Sequence, residues 1–195
     1  MRVHSPGGPE TMVLEDVPIQ EPGPGQARLR VAFAGVNFID IYHRTGAYPM
    51  ALPFTPGSEG AGVVEAMGDS STDLNQGDRV AWAMHPSGYA ERSVVDAWKL
   101  VPVPSTVELD VAAAVMLQGM TAHYLAHGSY PLGDEDTALI HAGAGGVGLL
   151  LIQMAKRLGA RVLTTVSTEA KERLARGAGA DEVIRYTELD FEDEV

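Results

Sequence analysis

The sequence contains no cysteine among its 195 residues. Disulfide bonds and thiolate metal sites are therefore excluded, which fits a reducing compartment. The sequence also lacks any apolar stretch near the roughly 20 residues of a membrane span, and its first residues lack the apolar core of a secretory signal. We therefore expect no membrane partner and predict a cytoplasmic location.

Positive charge is also scarce. Lys and Arg number 14 against 26 Asp and Glu, which gives a formal net charge of -12, and no run of basic residues occurs. Such a surface repels nucleic acids and anionic lipids on average. We therefore expect neither as a partner. The length exceeds the common size of one domain and favours two.

A glycine-rich stretch at residues 141–148, His-Ala-Gly-Ala-Gly-Gly-Val-Gly, is the most informative part of the sequence. Gly143, Gly145 and Gly148 have the GxGxxG spacing, between a short apolar run at 137–140 and a helical pattern. In that setting the glycines allow a tight turn, a close approach to a pyrophosphate and close helix-to-strand packing. The phosphates are then expected at the positive end of the helix dipole. The stretch therefore predicts a dinucleotide site.

The second predicted strand, at 160–166, indicates which dinucleotide binds. NAD sites usually carry an Asp or Glu at the end of this strand to hold the ribose 2′-hydroxyl. Here small hydroxyl residues occupy that position, and Lys171 follows one helical turn later. Lys171 is interpreted as a partner of a 2′-phosphate, and the alternative is a solvated surface lysine. The nearby Glu169 is interpreted as an acidic residue that interacts favourably with the helix dipole. We therefore predict NADP(H).

The chain before about residue 106 predicts short strands separated by turn residues. Candidate strands are 27–36, 62–67, 78–83 and 89–95, and their spacing predicts a small antiparallel barrel. In the first of them, alternation places Leu29, Val31 and Phe33 on one face.

The chain after residue 106 predicts helices alternating with strands. Residues 111–127 are expected to be helical with an interruption near Gly119. Thr168 is expected to cap a later helix that ends at Gly177 or Gly179, before a third strand at 181–186. The pattern is βαβαβ, one mononucleotide-binding half.

These motifs resemble the zinc-free NADPH:quinone oxidoreductases related to zeta-crystallin, in the medium-chain dehydrogenase/reductase superfamily. The resemblance covers nearly the whole chain. It implies an α/β plus β fold: a GroES-like antiparallel barrel at 1–106, followed at 107–195 by the first half of a Rossmann dinucleotide-binding domain, truncated because family members continue beyond the third strand. The segments that carry it are 35–42, 44–49, 56–62 with Gly68, and 144–148 with Gln153 and Lys156.

The resemblance also implies roles for individual residues. Ser58 stands where the superfamily has a zinc-binding His, so no metal ligand is expected. The predicted catalytic residues are Asn37, Asp40, Tyr42 and Tyr48. The predicted cofactor-binding residues are Phe38, Thr121, Gly143, Ala144, Gly145, Gly146, Val147, Gly148, Ser167, Lys171 and Tyr186.

Several of these residues have simpler interpretations. Tyr42 and Tyr48 are also compatible with barrel-wall aromatics, Asn37 with satisfying a turn, and Asp40 with a helix cap. The histidines are scattered and lack the HExxH spacing of zinc enzymes.

The resemblance predicts hydride transfer from NADPH to a quinone or a related electrophile. The alternatives are an enoyl or alkenal reductase of the same superfamily and a non-catalytic, crystallin-like NADPH-binding protein. We expect the full-length protein to be a homodimer and the 195 residues alone to be inactive. The sequence identifies neither the physiological acceptor nor a single proton donor.

Overall fold

The structure is a computed structural model that describes residues 1–68 and 73–195. They form two compact units, Met1–Leu117 and Gln118–Val195. The domain boundary was predicted between residues 106 and 107. The boundary between the units, after Leu117, falls within the helix Leu109–His123, which begins just after the predicted position. The two predicted domain ranges stay a prediction.

The first unit is built on an antiparallel sheet. A short pair of strands, β1 (Arg2–Val3) and β2 (Met12–Val13), comes first in the chain. The sheet strands are β3 (Gln26–Ala34), β4 (Glu59–Met67), β5 (Arg79–Ala83), β6 (Arg92–Asp96) and β7 (Val101–Pro102), hydrogen-bonded in the order β6-β3-β4-β5-β7. Their buried side chains include Leu29, Val64, Val80, Trp82 and Val95. The predicted antiparallel β fold is confirmed.

Strand β3 departs from simple alternation after Val31. Leu29 is buried as predicted, but the pairing of β3 with β4 shifts register between Val31 and Phe33. Phe33 is consequently half-exposed, and the prediction that it shares the face of Leu29 was wrong. A bulge inserts an extra residue and reverses the facing of those that follow, which a period of two does not reveal.

Helices complete the first unit. Helix α1 (Phe38–Thr45) lies between β3 and β4 in the chain and ends at Gly46, whose φ of 81° is left-handed. Single 3₁₀ turns occur at Pro9–Thr11 and Ala97–Lys99. Helix α2 (Leu109–His123) leads out of the unit.

Helix α2 runs through Gly119 and continues into a π-helical turn at Tyr124–Ser129. The predicted interruption near Gly119 was therefore wrong. One interior glycine costs a helix only about 1 kcal/mol relative to alanine, and the Ala, Leu and Met residues around it are good helix formers.

The second unit is a βαβαβ segment. Its elements are β8 (Thr137–Ile140), α3 (Gly146–Arg157), β9 (Arg161–Val166), α4 (Glu169–Ala178) and β10 (Glu182–Arg185), and the parallel strands have the order β10-β9-β8. Ile140, Ile152, Val162, Val166 and Ala175 form its core. The Rossmann-type half predicted from sequence is confirmed.

The predicted ends of α4 are also found. Thr168 accepts a hydrogen bond from the backbone N–H of Lys171 at 3.3 Å, and Gly179 ends the helix with a φ of 111°. None of the helices in the described part of the chain has the length and apolar character needed to cross a membrane.

Candidate functional site

The glycine turn joins β8 to α3 through very close backbone contacts. A Cβ on Gly148 would lie 2.8 Å from the Gly143 Cα, and one on Gly143 would lie 2.9 Å from the Cβ of Thr164. The left-handed residue of the turn is not a glycine but Ala142, with a φ of 54°. Gly143 and Gly148 are therefore needed for space rather than for a positive φ.

The other predicted residues of this turn surround the start of α3. Gly145 precedes the helix as its N-cap, and the first N–H groups of α3 lack partners within the helix. A Cβ on Gly146 would lie 2.8 Å from the amide nitrogen of Gln118. Ala144 packs against the core of the unit, Val147 is half-buried on α3, and Thr121 is half-buried on α2. The start of α3 thus suits a phosphate group.

Ser167, Lys171 and Tyr186 lie together at the carboxyl ends of β9 and β10. The Lys171 Nζ donates to the Ser167 Oγ at 3.1 Å. The Tyr186 N–H donates to the carbonyl of Val166 at 3.2 Å, which brings this half-exposed tyrosine beside Ser167.

Glu169, two residues before Lys171 on α4, does not pair with Lys171. The Oε1 of Glu169 pairs instead with Arg173 at 2.7 Å. No ion pair within residues 1–68 and 73–195 includes Lys171. The ammonium group therefore has no carboxylate partner within the described residues.

In the first unit, a buried polar cluster surrounds Asp40 at the start of α1. Its Oδ1 accepts a hydrogen bond from the Ser58 hydroxyl at 2.5 Å, and its Oδ2 accepts from the Tyr89 hydroxyl at 2.9 Å and the Asn37 N–H at 3.0 Å. Burial, the charge of Asp40 and the hydrogen bond to it raise the pKa of Tyr89 above its usual value. The phenol therefore stays a donor.

The carboxylate of Glu59, fully buried at 0% exposure, extends this cluster. Its Oε1 accepts from the Asn37 side-chain amide at 2.8 Å, and its Oε2 from the Leu117 backbone N–H at 2.6 Å. Gly35 leaves room for it, because a Cβ there would overlap the Glu59 side chain. Asn37, whose simpler interpretation was a turn residue, is the N-cap of α1 and also binds Glu59. Asp40, whose simpler interpretation was a helix cap, lies three residues later, inside the first turn.

Three exposed aromatic rings lie next to this cluster along the chain. Phe38 and Tyr42 meet edge to face with ring centroids 5.3 Å apart, and Tyr42 and Tyr48 are tilted with centroids 5.0 Å apart. The exposed fractions are 68%, 38% and 51%, respectively. We call these three rings the aromatic face. It offers apolar surface and two hydroxyl groups to a ligand.

Sequence reasoning missed Glu59, Tyr89 and the contacts of Ser58 with Asp40. Ser58 and Glu59 stand in the quoted motif at 56–62, so a signal existed for them, whereas Tyr89 only follows a turn. His141, the first residue of the glycine stretch, has its Nδ1 3.1 Å from the Thr165 Oγ1, and its ring meets Phe191 edge to face.

The donor set of the Asp40 cluster does not suit zinc. Its neutral members are an amide and hydroxyl groups, whereas zinc sites use thiolate, imidazole and carboxylate ligands. Within the described residues, no group of three His, Cys, Asp or Glu side chains is arranged to hold a metal ion. The absence of a metal stays a prediction.

Two family models match the chain. The alcohol dehydrogenase GroES-like domain matches residues 23–127, and the zinc-binding dehydrogenase family matches residues 146–195.

Individual relatives agree with these matches. A quinone oxidoreductase of Pseudomonas aeruginosa is 49% identical over 93% of this chain and 56% of its own length. A 2-haloacrylate reductase of Burkholderia sp. is 43% identical over 99% of this chain and 60% of its own length. The solved structure of Escherichia coli quinone oxidoreductase complexed with NADPH has a TM-score of 0.96 at 36% identity, over 99% of this chain and 60% of that one. The chain thus spans less than two thirds of each relative.

Proposed function

Because the chain belongs to the quinone oxidoreductases of the medium-chain dehydrogenase/reductase superfamily, we propose that the whole protein transfers a hydride from NADPH to a quinone. The observation that carries the proposal is the contact between Lys171 and Ser167 at the end of β9. A lysine there, with no carboxylate paired to it among the residues that the structure describes, favours a 2′-phosphate over a ribose hydroxyl.

The residues of the second unit are proposed to bind the dinucleotide. The first N–H groups of α3 bind the pyrophosphate, which the close approach permitted by Gly143, Gly145 and Gly148 makes accessible. Ser167, Lys171 and Tyr186 hold the 2′-phosphate. NADPH, when bound, supplies the hydride, and the protein contributes position and electrostatics.

The aromatic face is proposed to bind the acceptor. A planar quinone stacks on such rings, and displacing water from them favours an apolar ring system. Phe38, predicted from the sequence to bind the cofactor, is exposed on the same face and is proposed to contact the acceptor as well. The hydroxyl groups of Tyr42 and Tyr48 donate to the carbonyl oxygen that becomes negative as hydride arrives. Asn37 and Asp40 are proposed to act by orienting α1, since both Asp40 oxygens are already occupied.

A second candidate is reduction of an activated alkene, because one relative is a 2-haloacrylate reductase. A non-catalytic NADPH-binding protein is the third. A homodimeric whole protein, a cytoplasmic location and the absence of nucleic-acid partners also stay predictions.

Steady-state oxidation of NADPH separates the three candidates. The protein, extended to the length of its relatives, is assayed with 1,2-naphthoquinone and with an enal. Faster oxidation with the quinone supports the proposal, and faster oxidation with the enal supports the alkene reductase. Tight NADPH binding without oxidation by either acceptor would leave the non-catalytic role. Elemental analysis of the same sample tests the predicted absence of zinc.

A further inference from the structure

Helix α1 buries a polar side chain and exposes apolar ones, the reverse of an ordinary amphipathic helix. Its one buried side chain is the carboxylate of Asp40, 6% exposed, whereas Phe38, Ile41 and Tyr42 are exposed. Burial of apolar side chains favours the opposite orientation. A helix of eight residues has little stability of its own. The contacts of Asp40 therefore help to hold this orientation.

Two of these contacts come from distant parts of the chain. Ser58 is 18 residues from Asp40, and Tyr89 is 49 residues from it. The third, from the Asn37 N–H, belongs to the start of α1 itself. Ser58 and Tyr89 therefore anchor the start of α1 on its unit. The end of α1 is held separately, because Arg44 and Gly7 exchange hydrogen bonds at 3.0 Å.

The loop that carries Tyr89 is held in place by backbone hydrogen bonds and close packing. Consecutive N–H groups of residues 87–89 donate to carbonyls of residues 55–57 at 2.9 to 3.0 Å. Ser87 is held at a φ of 81°, a left-handed conformation that costs energy for a residue other than glycine. At Gly57, where φ is 98°, an added Cβ would lie 2.6 Å from the Tyr89 ring.

We propose that Ser58 and Tyr89 are positioning residues that hold Asp40 and thereby keep Phe38 and Tyr42, the part of the aromatic face that lies on α1, exposed to an electron acceptor. Neither touches the acceptor. The identity of the acceptor rests on the proposed function, whereas the anchoring of α1 does not.

Hydrogen exchange of the α1 amides tests the anchoring. Tyr89→Phe and Ser58→Ala each remove one hydroxyl, so a folding failure of one variant leaves the other. Exchange at residues 38–45 should become about tenfold faster in each, equivalent to about 1.4 kcal/mol. The matched control is Tyr130→Phe, because the Tyr130 hydroxyl also donates to a carboxylate, that of Asp136, at 2.9 Å. It should leave exchange at α1 unchanged.

Kinetics of the extended protein test the link to the acceptor. Tyr89→Phe and Ser58→Ala should raise KM for 1,2-naphthoquinone by up to about tenfold and change the Kd of NADPH much less, because most of the proposed cofactor-binding residues lie in the second unit. A purely structural role would change both together. Unchanged exchange in both variants overturns the anchoring, and faster exchange with an unchanged KM overturns the link. If the unsubstituted protein does not use the quinone, the proposed function is overturned. Hydrogen exchange then still decides whether Ser58 and Tyr89 anchor α1.

Discussion

Lys171 is the residue with the most direct consequence for which dinucleotide binds. Its neighbour Glu169 would weaken an anion site if the two paired, but Glu169 pairs with Arg173. Coulomb attraction to a 2′-phosphate is therefore not offset by a contact within α4.

Lys171→Ala should weaken NADPH binding by about tenfold to a hundredfold and change NADH binding little, because one charge-assisted hydrogen bond is worth about 1.5 to 3 kcal/mol. Titration of both cofactors measures the effect. Arg176→Ala is the control, since it removes a charge from the same helix and leaves its partner Glu172 an ion pair with Arg185. Equal losses for both cofactors in Lys171→Ala would reduce Lys171 to a surface residue.

Tyr89 should make stability fall at high pH. Its pKa is raised in the folded protein, chiefly by burial and then by Asp40, whereas an unfolded tyrosine titrates near about pH 10. The folded state then holds the proton when the unfolded state has lost it. The contribution is complete below about pH 10 and is lost as pH rises toward the folded pKa.

Urea unfolding between pH 8 and pH 11 measures this dependence. The free energy of unfolding should fall more gently in Tyr89→Phe than in the unsubstituted protein. The difference in slope should be below about 1.4 kcal/mol per pH unit, because Tyr89 is only partly buried and solvent screens it. If the free energy of unfolding fell equally with pH in both proteins, the raised pKa of Tyr89 would be contradicted.

Among the elements, α3 packs closely against the turn before it. Glycine-to-alanine substitutions in α3 and in α4 test how much this close packing matters. Gly148→Ala places a methyl group 2.8 Å from the Gly143 Cα, and backbone atoms there cannot yield. Gly177→Ala, within α4, adds a methyl group with nothing within 4 Å.

The two substitutions should have opposite effects on thermal unfolding. Gly148→Ala should lower Tm and weaken NADPH binding, because α3 must move away from the turn. Gly177→Ala should raise the free energy of unfolding by about 0.5 to 1 kcal/mol, the usual gain of alanine over glycine in a helix. A neutral Gly148→Ala would show that α3 tolerates displacement.

At the scale of the whole molecule, the parallel sheet has β8 at one edge. The order β10-β9-β8 gives β8 one hydrogen-bonded neighbour among the described strands. In doubly wound sheets the dinucleotide lies across the crevice where strand order reverses, beside the first strand. The chain spans 56% to 60% of the relatives compared with it.

We therefore expect the 195 residues alone to bind 2′-phospho-ADP-ribose weakly and not to oxidise NADPH with 1,2-naphthoquinone. A version extended to the length of its relatives should bind 2′-phospho-ADP-ribose and also oxidise NADPH with 1,2-naphthoquinone. Parallel binding and turnover assays of the two proteins provide the test. Matching turnover by the 195 residues would contradict this expectation.

Local sequence determined much of the second unit. The bounds of β8, the cap at Thr168 and the approach of Lys171 to Ser167 all follow from neighbours within a few residues. Such contacts depend on strand and helix periods, which a sequence displays directly. The continuity of α2 through Gly119 was missed, because one glycine is a weak signal against good helix formers.

Tertiary structure alone decided how the candidate acceptor site is held. Periodicity offers no reason for Asp40 to be buried and Phe38 exposed, since an isolated amphipathic helix favours the reverse. Ser58 and Tyr89, which chain folding brings to one carboxylate from 18 and 49 residues away, hold the start of α1, and hydrogen bonds between Arg44 and Gly7 hold its end. Hydrogen bonds to a buried charge are strong enough to outweigh the exposure of apolar rings, and their partners are known only when the chain is folded.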